Sequence, residues 1–426
     1  MVTQSLKNEK KKTVIGTIPE DWDIIDIEKS SFLKGRIGWQ GLTTKEYLSM
    51  GEFFLVTGTE FNNGSIDWYR CNYVSKKRYD QDTNIKLRKN DILVTKDGTI
   101  GKVAFVNSLP LPATLNSGVF VIRPLNESYA PKYLFYVLQS NYFKRFIETL
   151  KAGSTISHLY QYSFKNFTFP LPKLPEQQRI SKILSDTDAL IESLGVLISK
   201  KKNIKQGLLQ TLLKRGIGHT KFKKTEIGEI PEDWDIKQLA DLTYVVSGFG
   251  FPIRYQERQT GAFPFFKVND LNSCGKVVIN SNNYVDEPEL RTLRAKAYPK
   301  GTIIFPKIGM SVYLNKYRIL GVKGTFDNNV AGVIPMSING DFLYYYFVGC
   351  INLKSLSGES AVPSIRKSTL QKLKVPIPPN VEQESISNIL TNLDNEIQLL
   401  EQKRDKYKLL KTGMMQQLLT GGIRVK

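Results

Sequence analysis

The sequence predicts an α+β protein. It reads as two similar α/β modules with sheet-rich bodies, separated by two long helices packed as an antiparallel coiled coil, the whole forming a pseudo-twofold internal repeat. Three observations carry this. The stretch Ile15-Gly16-Thr17-Ile18-Pro19-Glu20-Asp21-Trp22-Asp23-Ile24 returns as Ile227-Gly228-Glu229-Ile230-Pro231-Glu232-Asp233-Trp234-Asp235-Ile236. Further on, Glu176-Gln177, Ile180-Ser181 and Ile183-Leu184 return as Glu382-Gln383, Ile386-Ser387 and Ile389-Leu390. After each Glu-Gln the pattern changes from short β-branched and aromatic runs to a long amphipathic stripe without proline.

In chain order, residues 1–12 are expected to be a flexible tail, polar and basic and without the apolar stretch of a signal peptide. Residues 13–173 form the first module. Phe53–Thr57, Asp91–Thr95 and Lys102–Val106 read as strands between Gly, Asn, Asp and Pro turns, and Pro131–Leu150 as a helix. Pro170 and Pro172 end that module. Residues 174–225 are a central long helix with a linker, 226–379 a second module, and 380–426 a C-terminal long helix.

The central stripe runs through Ile180, Leu184, Ile191, Leu194, Ile198, Leu208 and Leu212, widened by Ile183, Leu190, Leu197 and Ile204. Its counterpart has Ile386, Leu390, Leu393, Ile397 and Leu400, continuing to Leu418. A stripe of this length needs cover, and a partner helix suits the preserved face better than two helices each lying on its own module. Helix packing or subunit docking is therefore expected of Ile180, Leu184, Ile191, Leu194, Leu208, Ile386, Leu390, Leu393, Ile397 and Leu400. Gly207 and Gly413 recur inside the stripes, which suggests a close backbone approach or a break before the last turns.

A chain of 426 residues exceeds one ordinary core, and 41% hydrophobic residues suffice to build several. Lys+Arg 60 against Asp+Glu 40 gives +20, a balance that favours a polyanionic partner such as duplex DNA. The helical stretches hold little of this excess, with eight Lys/Arg against four Asp/Glu in 176–215 and six of each in 382–424. The modules are therefore the better candidates for phosphate contact. Cys71, Cys274 and Cys350 form no Cys-x-x-Cys pair, which argues against a disulfide framework or zinc site and suits a cytoplasmic protein. The longest apolar run, Phe342–Ile351, is too short to span a bilayer.

No catalytic constellation emerges. His158 and His219 are the only histidines, and there is no Gly-x-Ser-x-Gly elbow, phosphate-binding loop or Asn/Asp-Pro-Pro-Tyr/Phe methylase loop. No metal site is expected. Recognition chemistry remains. Lys96 and Lys307 each follow an apolar strand and lead to glycine, a place from which a cation reaches a phosphate or a guanine edge. Lys45, Asn62, Asn63, Lys267, Asn269, Asn328 and Asn329 lie in polar loops, where asparagine can pair with adenine or simply make turns. Ser154 and Thr155, like Ser157 and Ser360, can donate to phosphate or cap a helix. Trp39, Trp68, Tyr69 and Phe249 can stack on bases or pack in a core.

Ile-Pro-Glu-Asp-Trp at the head of each half, Asp91-Ile92-Leu93-Val94 leading to Lys96 and Gly98, and Pro-Leu-Pro before Glu176-Gln177 together resemble the specificity subunits of type I restriction–modification enzymes. The resemblance covers nearly the whole chain. It implies two target-recognition domains that each read one half of a split DNA target, and long helices that set the spacer and dock two DNA adenine methyltransferase subunits. Restriction/translocase subunits complete such an enzyme. S-adenosylmethionine, ATP and Mg2+ would sit on the partners, with no cofactor on this chain and no catalysis by it. Val381-Glu382-Gln383-Glu384 departs from Glu176-Gln177-Gln178-Arg179 by lacking the arginine. Two other classes compete: a methyltransferase or nuclease with a fused recognition region, which methyl transfer by the chain alone would reveal, and a non-DNA coiled-coil assembly protein, which salt-dependent DNA binding would exclude.

Overall fold

The computed structural model describes residues 9–37, 41–151, 158–272, 275–358 and 362–425. The chain divides into two compact units, 1–194 with 403–426 and 195–402. Each unit thus contains one module together with stretches of both long helices, where the sequence reading had set the helices apart from the modules.

The first unit is built around a four-stranded antiparallel sheet in the order Val103–Phe105, Ile92–Thr95, Val119–Pro124, Ser31–Gly35. Its central strands are unbroken apolar runs because both faces are covered. Ile92, Val94, Phe120 and Ile122 face the helices Pro131–Gln139 and Asn141–Lys151. Leu93, Val119 and Val121, alternating with them, join a second core with Phe54, Val56 and Leu115. That core lies under a three-stranded sheet in which Phe54–Val56 pairs parallel with Ala113–Leu115 and antiparallel with Asn72–Tyr73. The single helix expected over Pro131–Leu150 is broken at Ser140, whose hydroxyl donates to the Val137 carbonyl. Pro170 lies within a strand, Thr168–Leu171, that pairs with Asp23–Asp26. A two-stranded ladder gives each strand a free edge, which is where proline is tolerated.

The second unit follows the same order. A five-stranded sheet runs Thr243–Ser247, Val330–Pro335, Ile303–Pro306, Arg318–Leu320, Val277–Val278, and its last strand has no counterpart in the first unit's sheet. Phe263–Phe266 pairs parallel with Thr325–Phe326 and antiparallel with Tyr284–Val285. Helix Gly340–Cys350 covers the main sheet, and Lys374–Ile377 closes on Asp235–Gln238.

Two corrections concern where the modules begin. Lys10–Thr13 is not tail but a strand paired with Gly16–Pro19. Likewise Phe222–Thr225, read as linker, pairs with Gly228–Pro231. The sequence hid both because Lys10-Lys11-Lys12 and Phe222-Lys223-Lys224 lack apolar alternation; their backbone ladders suffice for an edge hairpin, with Lys10, Lys12 and Lys224 exposed and Lys11 and Lys223 half-buried.

The long helices span Leu174–Arg215 and Asn380–Leu418. In the first unit Ile180 and Leu184 share a core with Leu418 and Leu419, and Lys411 pairs with Asp188 at 2.6 Å. In the second, Leu209, Leu212 and Leu213 share one with Ile386 and Leu390, and Lys201–Glu396 (2.8 Å), Lys202–Glu401 (2.7 Å) and Lys205–Asp394 bridge the helices. Rising numbers on one helix meet falling numbers on the other, so the pairing is antiparallel within each unit. Leu197 and Ile204, expected to widen the packed face, are exposed. A Cβ at Gly207 or Gly413 would meet nothing within 4 Å, and both helices run on past them. Neither a close approach nor a break accounts for these glycines, and the structure offers no other reason.

Candidate nucleic-acid interface

The repeated motifs lock to one another. Trp22, fully buried, donates its indole N–H to Glu176 Oε2 at 3.1 Å, and Arg424 reaches both Glu176 oxygens (2.8 and 2.9 Å) and both Asp21 oxygens (2.7 Å each). These carboxylates raise the Arg424 pKa, Glu176 foremost. Gln177 accepts from the Ala130 N–H (2.9 Å) and donates to the Pro172 carbonyl (2.7 Å). In the second unit Trp234 donates to Glu382 Oε2 (2.9 Å), His219 stands where Arg424 did with Nε2 3.0 Å from Glu382, and Gln383 accepts from Asn339 (2.9 Å) and donates to Pro378 (2.8 Å). These motifs tie the head of each module to the start of a long helix, and the tryptophans are spent in that packing.

The other recurrent residues form a loop corner in each unit. Lys96 continues strand Ile92–Thr95; its N–H donates to the Gly118 carbonyl and its carbonyl accepts from Leu159, both at 2.8 Å. Lys307 continues Ile303–Pro306 in the same way, donating to Asn329 (2.8 Å) and accepting from Ile365 (2.9 Å). Each lysine is half-buried, and that burial lowers its pKa, opposed by Asp97 in one case and Asp327 in the other. A half-desolvated ammonium gains more from an incoming phosphate than one already fully hydrated.

Several candidates converge on these corners. Lys267 and Asn269 belong to the turn after Phe263–Phe266, which is joined to the Asp327–Asn329 turn where the Asp327 N–H donates to the Phe266 carbonyl at 3.0 Å. Asn328 is exposed there, and the Asn329 N–H donates to Asp327 Oδ1 at 2.9 Å. The Lys267 ammonium donates to Gln256 Oε1 at 2.8 Å. Lys45 is exposed between Leu42, whose N–H donates to Asn116 Oδ1 (3.2 Å), and Tyr47, whose hydroxyl accepts from Asn116 Nδ2 (2.7 Å). That places Lys45 in a loop anchored to Asn116, two residues before the Gly118 that bonds the Lys96 backbone.

Asn62 and Asn63 do not join them. They form the turn of hairpin Phe61–Asn62/Ser65–Ile66, with φ +49° at Asn63 and +82° at Gly64. Gly64 accepts from Phe105, which pairs with Ile92, the end of that strand remote from Thr95 and Lys96. Turn chemistry explains Asn63, whose left-handed backbone the two-residue turn requires, whereas Asn62 is an exposed strand residue paired with Ser65. Ser154, Thr155, Ser157, Ser360 and Trp39 lie outside the described residues. Trp68 packs on Phe54 and Phe249 stacks on Tyr298, whereas Tyr69 is exposed.

The helix residues also divide. Ile180, Leu184, Leu194, Ile386, Leu390, Leu393 and Ile397 are buried, and Ile191, Leu208 and Leu400 are half-buried. They serve packing and leave little for a partner to touch. Other apolar side chains of the long helices are exposed, among them Val196, Leu197, Ile204, Val381, Ile389 and Leu399 in the second unit and Leu409 and Leu410 in the first.

Sequence reasoning missed three features of the first corner. His158 Nδ1 contacts Asp97 Oδ1, and Tyr160 and Tyr162 stack in the open with ring centroids 5.5 Å apart. The turn Thr57–Glu60 closes over Thr95. Gly58 and an acid four residues after the apolar run that ends at Val56 are the signs of that turn in the sequence.

Among the described residues no group of His, Cys, Asp and Glu is placed to hold a metal ion, and no helix is long and apolar enough to cross a membrane.

The type I restriction modification DNA specificity domain model matches the chain twice, over residues 45–206 and 231–408. The chain is 29% identical over 440 residues to a Methanocaldococcus jannaschii protein named provisionally as a type I restriction enzyme specificity subunit, covering 100% of this chain and 99% of that one. It is 28% identical over 438 residues, with the same coverage, to the type I restriction enzyme MjaVIII specificity subunit of that organism. In fold it is similar to the crystal structure of a type I restriction–modification S subunit from M. genitalium, with a TM-score of 0.60 at 18% identity over 93% of this chain and 96% of that one. With two matches that together span most of its length, each covering the sheet-rich body of one module and part of a long helix, this chain belongs to the type I restriction modification DNA specificity family.

Proposed function

We propose that this chain is the DNA-reading specificity subunit of a type I restriction–modification enzyme, with the first unit's module reading one half of a bipartite duplex target and the second unit's module the other. The observation that carries the reading is the repeated corner. One backbone frame holds Lys96 and Lys307 identically, while the side chains around them differ: Thr57, Asp97 and His158 in one, Lys267, Ile308 and Ser364 in the other. The shared lysine supplies phosphate contact and orientation, and the differing neighbours supply base choice. The long helices set the spacer and carry two adenine methyltransferase subunits, and the restriction/translocase subunits join that assembly. S-adenosylmethionine, ATP and Mg2+ act on those partners in the cytoplasm, and this chain performs no catalysis. The exposed leucines of the helices suit such docking better than the buried ones do.

The test is duplex binding by the chain assembled with its methyltransferase, measured across salt concentrations. Lys96→Ala and Lys307→Ala are each expected to weaken binding similarly for all sequences and to lower the slope of log K against log salt by about one. No binding to duplex DNA at low salt would overturn the reading.

A further inference from the structure

The turn Thr57–Glu60 follows strand Phe54–Val56 as the turn Lys267–Asp270 follows Phe263–Phe266. Both are closed by the same contact, in which a buried carboxylate accepts from the backbone N–H three residues earlier. Thr57 N–H donates to Glu60 Oε2 at 3.0 Å, and Lys267 N–H to Asp270 Oδ2 at 2.6 Å. Each turn also adjoins its own lysine corner. Asn116 N–H donates to the Val56 carbonyl (2.9 Å) as Asp327 N–H does to Phe266 (3.0 Å). In this registry Thr57 stands for Lys267 and Thr59 for Asn269, and Thr59 and Asn269 are both exposed.

The first turn is held tightly. Gly58 has φ +94°, and a Cβ there would lie 2.6 Å from Thr95 Cγ2, so only glycine lets the turn press on the strand end that leads to Lys96. A Cβ on Gly118 would lie 3.6 Å from the Thr57 carbonyl and 3.7 Å from Asp97 Cβ, which brings Thr57, Asp97 and the Lys96 backbone to one place. Glu60, 2% exposed, takes the Thr57 and Gly58 N–H groups on Oε2 and the hydroxyls of Thr57 and Thr59 on Oε1, each hydroxyl at 2.8 Å. The two hydroxyls are 2.9 Å apart. Each carries a single proton, and whichever way the pair shares them, that of Thr59 points into the turn, toward Glu60 or Thr57. With its proton turned inward, the Thr59 hydroxyl has only lone pairs left to offer a further partner.

We infer that the Thr57–Glu60 turn is a base-reading element for the first half of the target, and that Thr59 selects a base with an exocyclic amino group, adenine N6 or cytosine N4, in the major groove. Those amino groups are the donors that the major groove presents, and a hydroxyl locked as an acceptor matches them while refusing the O6 of guanine and the O4 of thymine. Glu60 acts as a positioning residue that fixes the hydroxyl's polarity. In the second unit the equivalent exposed side chain is the amide of Asn269, which can both donate and accept, so the two turns read by different rules.

The inference rests on the proposed reading of this chain as a DNA-specificity subunit. Both are tested by mapping methylated sequences in cells that express the chain with its methyltransferase. The wild-type chain is expected to give one bipartite motif. Thr59→Val, an isosteric change on an exposed residue, is expected to relax one position of one half about tenfold, leaving the other half intact. Glu60→Gln, whose amide can donate to the hydroxyls, is expected to shift that position toward a base presenting an acceptor. Asn269→Ala is expected to alter the other half alone. An unchanged motif with unchanged relative rates for Thr59→Val would overturn the inference while leaving the broader reading in place. Absence of any bipartite motif from the wild-type chain would instead overturn the broader reading, and the inference with it.

Discussion

Replacing Glu176 with alanine is expected to destabilise the first unit by about 3 kcal/mol, among the largest effects of any single substitution in the chain. The carboxylate is 6% exposed and the arginine it holds 10%, so neither group is returned to bulk water when the other is removed. The indole N–H of Trp22 loses its acceptor in a fully buried position, and Arg424 keeps Asp21 as its one carboxylate partner. A unit of this size should lose roughly 6–12 °C in melting temperature. Glu176→Gln, which retains an acceptor for Trp22 and gives up the charge, should fall between the two. Glu382→Ala should act likewise on the second unit, where Trp234, His219 and the Ile217 N–H all converge on that carboxylate. The methylated sequence should not change in either variant, because these groups are spent on packing. A melting profile of Glu176→Ala that coincides with that of the wild type would show that the repeated motif is not the lock described above.

Seven residues inserted into both long helices, after Gly195 and after Gln402, should lengthen the spacer of the methylated target by about three base pairs while keeping both half-sites. One heptad adds roughly 10 Å and returns the apolar face to within about 20° of its register. Two residues inserted at the same places should behave quite differently. They rotate the downstream part of each helix by about 200° against the upstream part, which breaks the continuity of the apolar stripe. Methylation should then be lost rather than respaced. A seven-residue insertion that leaves the spacer at its original length would remove the helices from the ruler role.

Much of the architecture could be read directly from residue patterns. Ile92–Thr95 and Val119–Ile122 announce buried strands by their unbroken apolar runs, and the long helices announce themselves by a stripe without proline. What those patterns omit are the long-range partners. Nothing near Glu176 in sequence shows that its oxygens serve Trp22 and Arg424, which approach from opposite ends of the chain. The doubled motif was visible, but the bond between its two parts was not. The same limit governs the recognition corner. Lys96 and Lys307 stand out by recurrence, whereas the turn geometry already accounts for Asn63, and Asn62 beside it lies at the far end of the sheet from Lys96. Thr57 and Thr59 were overlooked because threonine carries no charge, and only the structural registry with Lys267 and Asn269 brings them forward. Leu197 and Ile204 fit the periodicity and are nevertheless exposed, since a two-helix seam is narrower than the stripe they belong to.

The central claim is that each module reads its own half of the target. It is tested most directly by exchanging residues 13–173 for the corresponding module of another member of the family, and mapping the sequences methylated in cells that also express the methyltransferase. The account predicts that one half of the motif is replaced by the donor's, while the spacer and the other half stay as they were. A motif altered in both halves, or in neither, would contradict it.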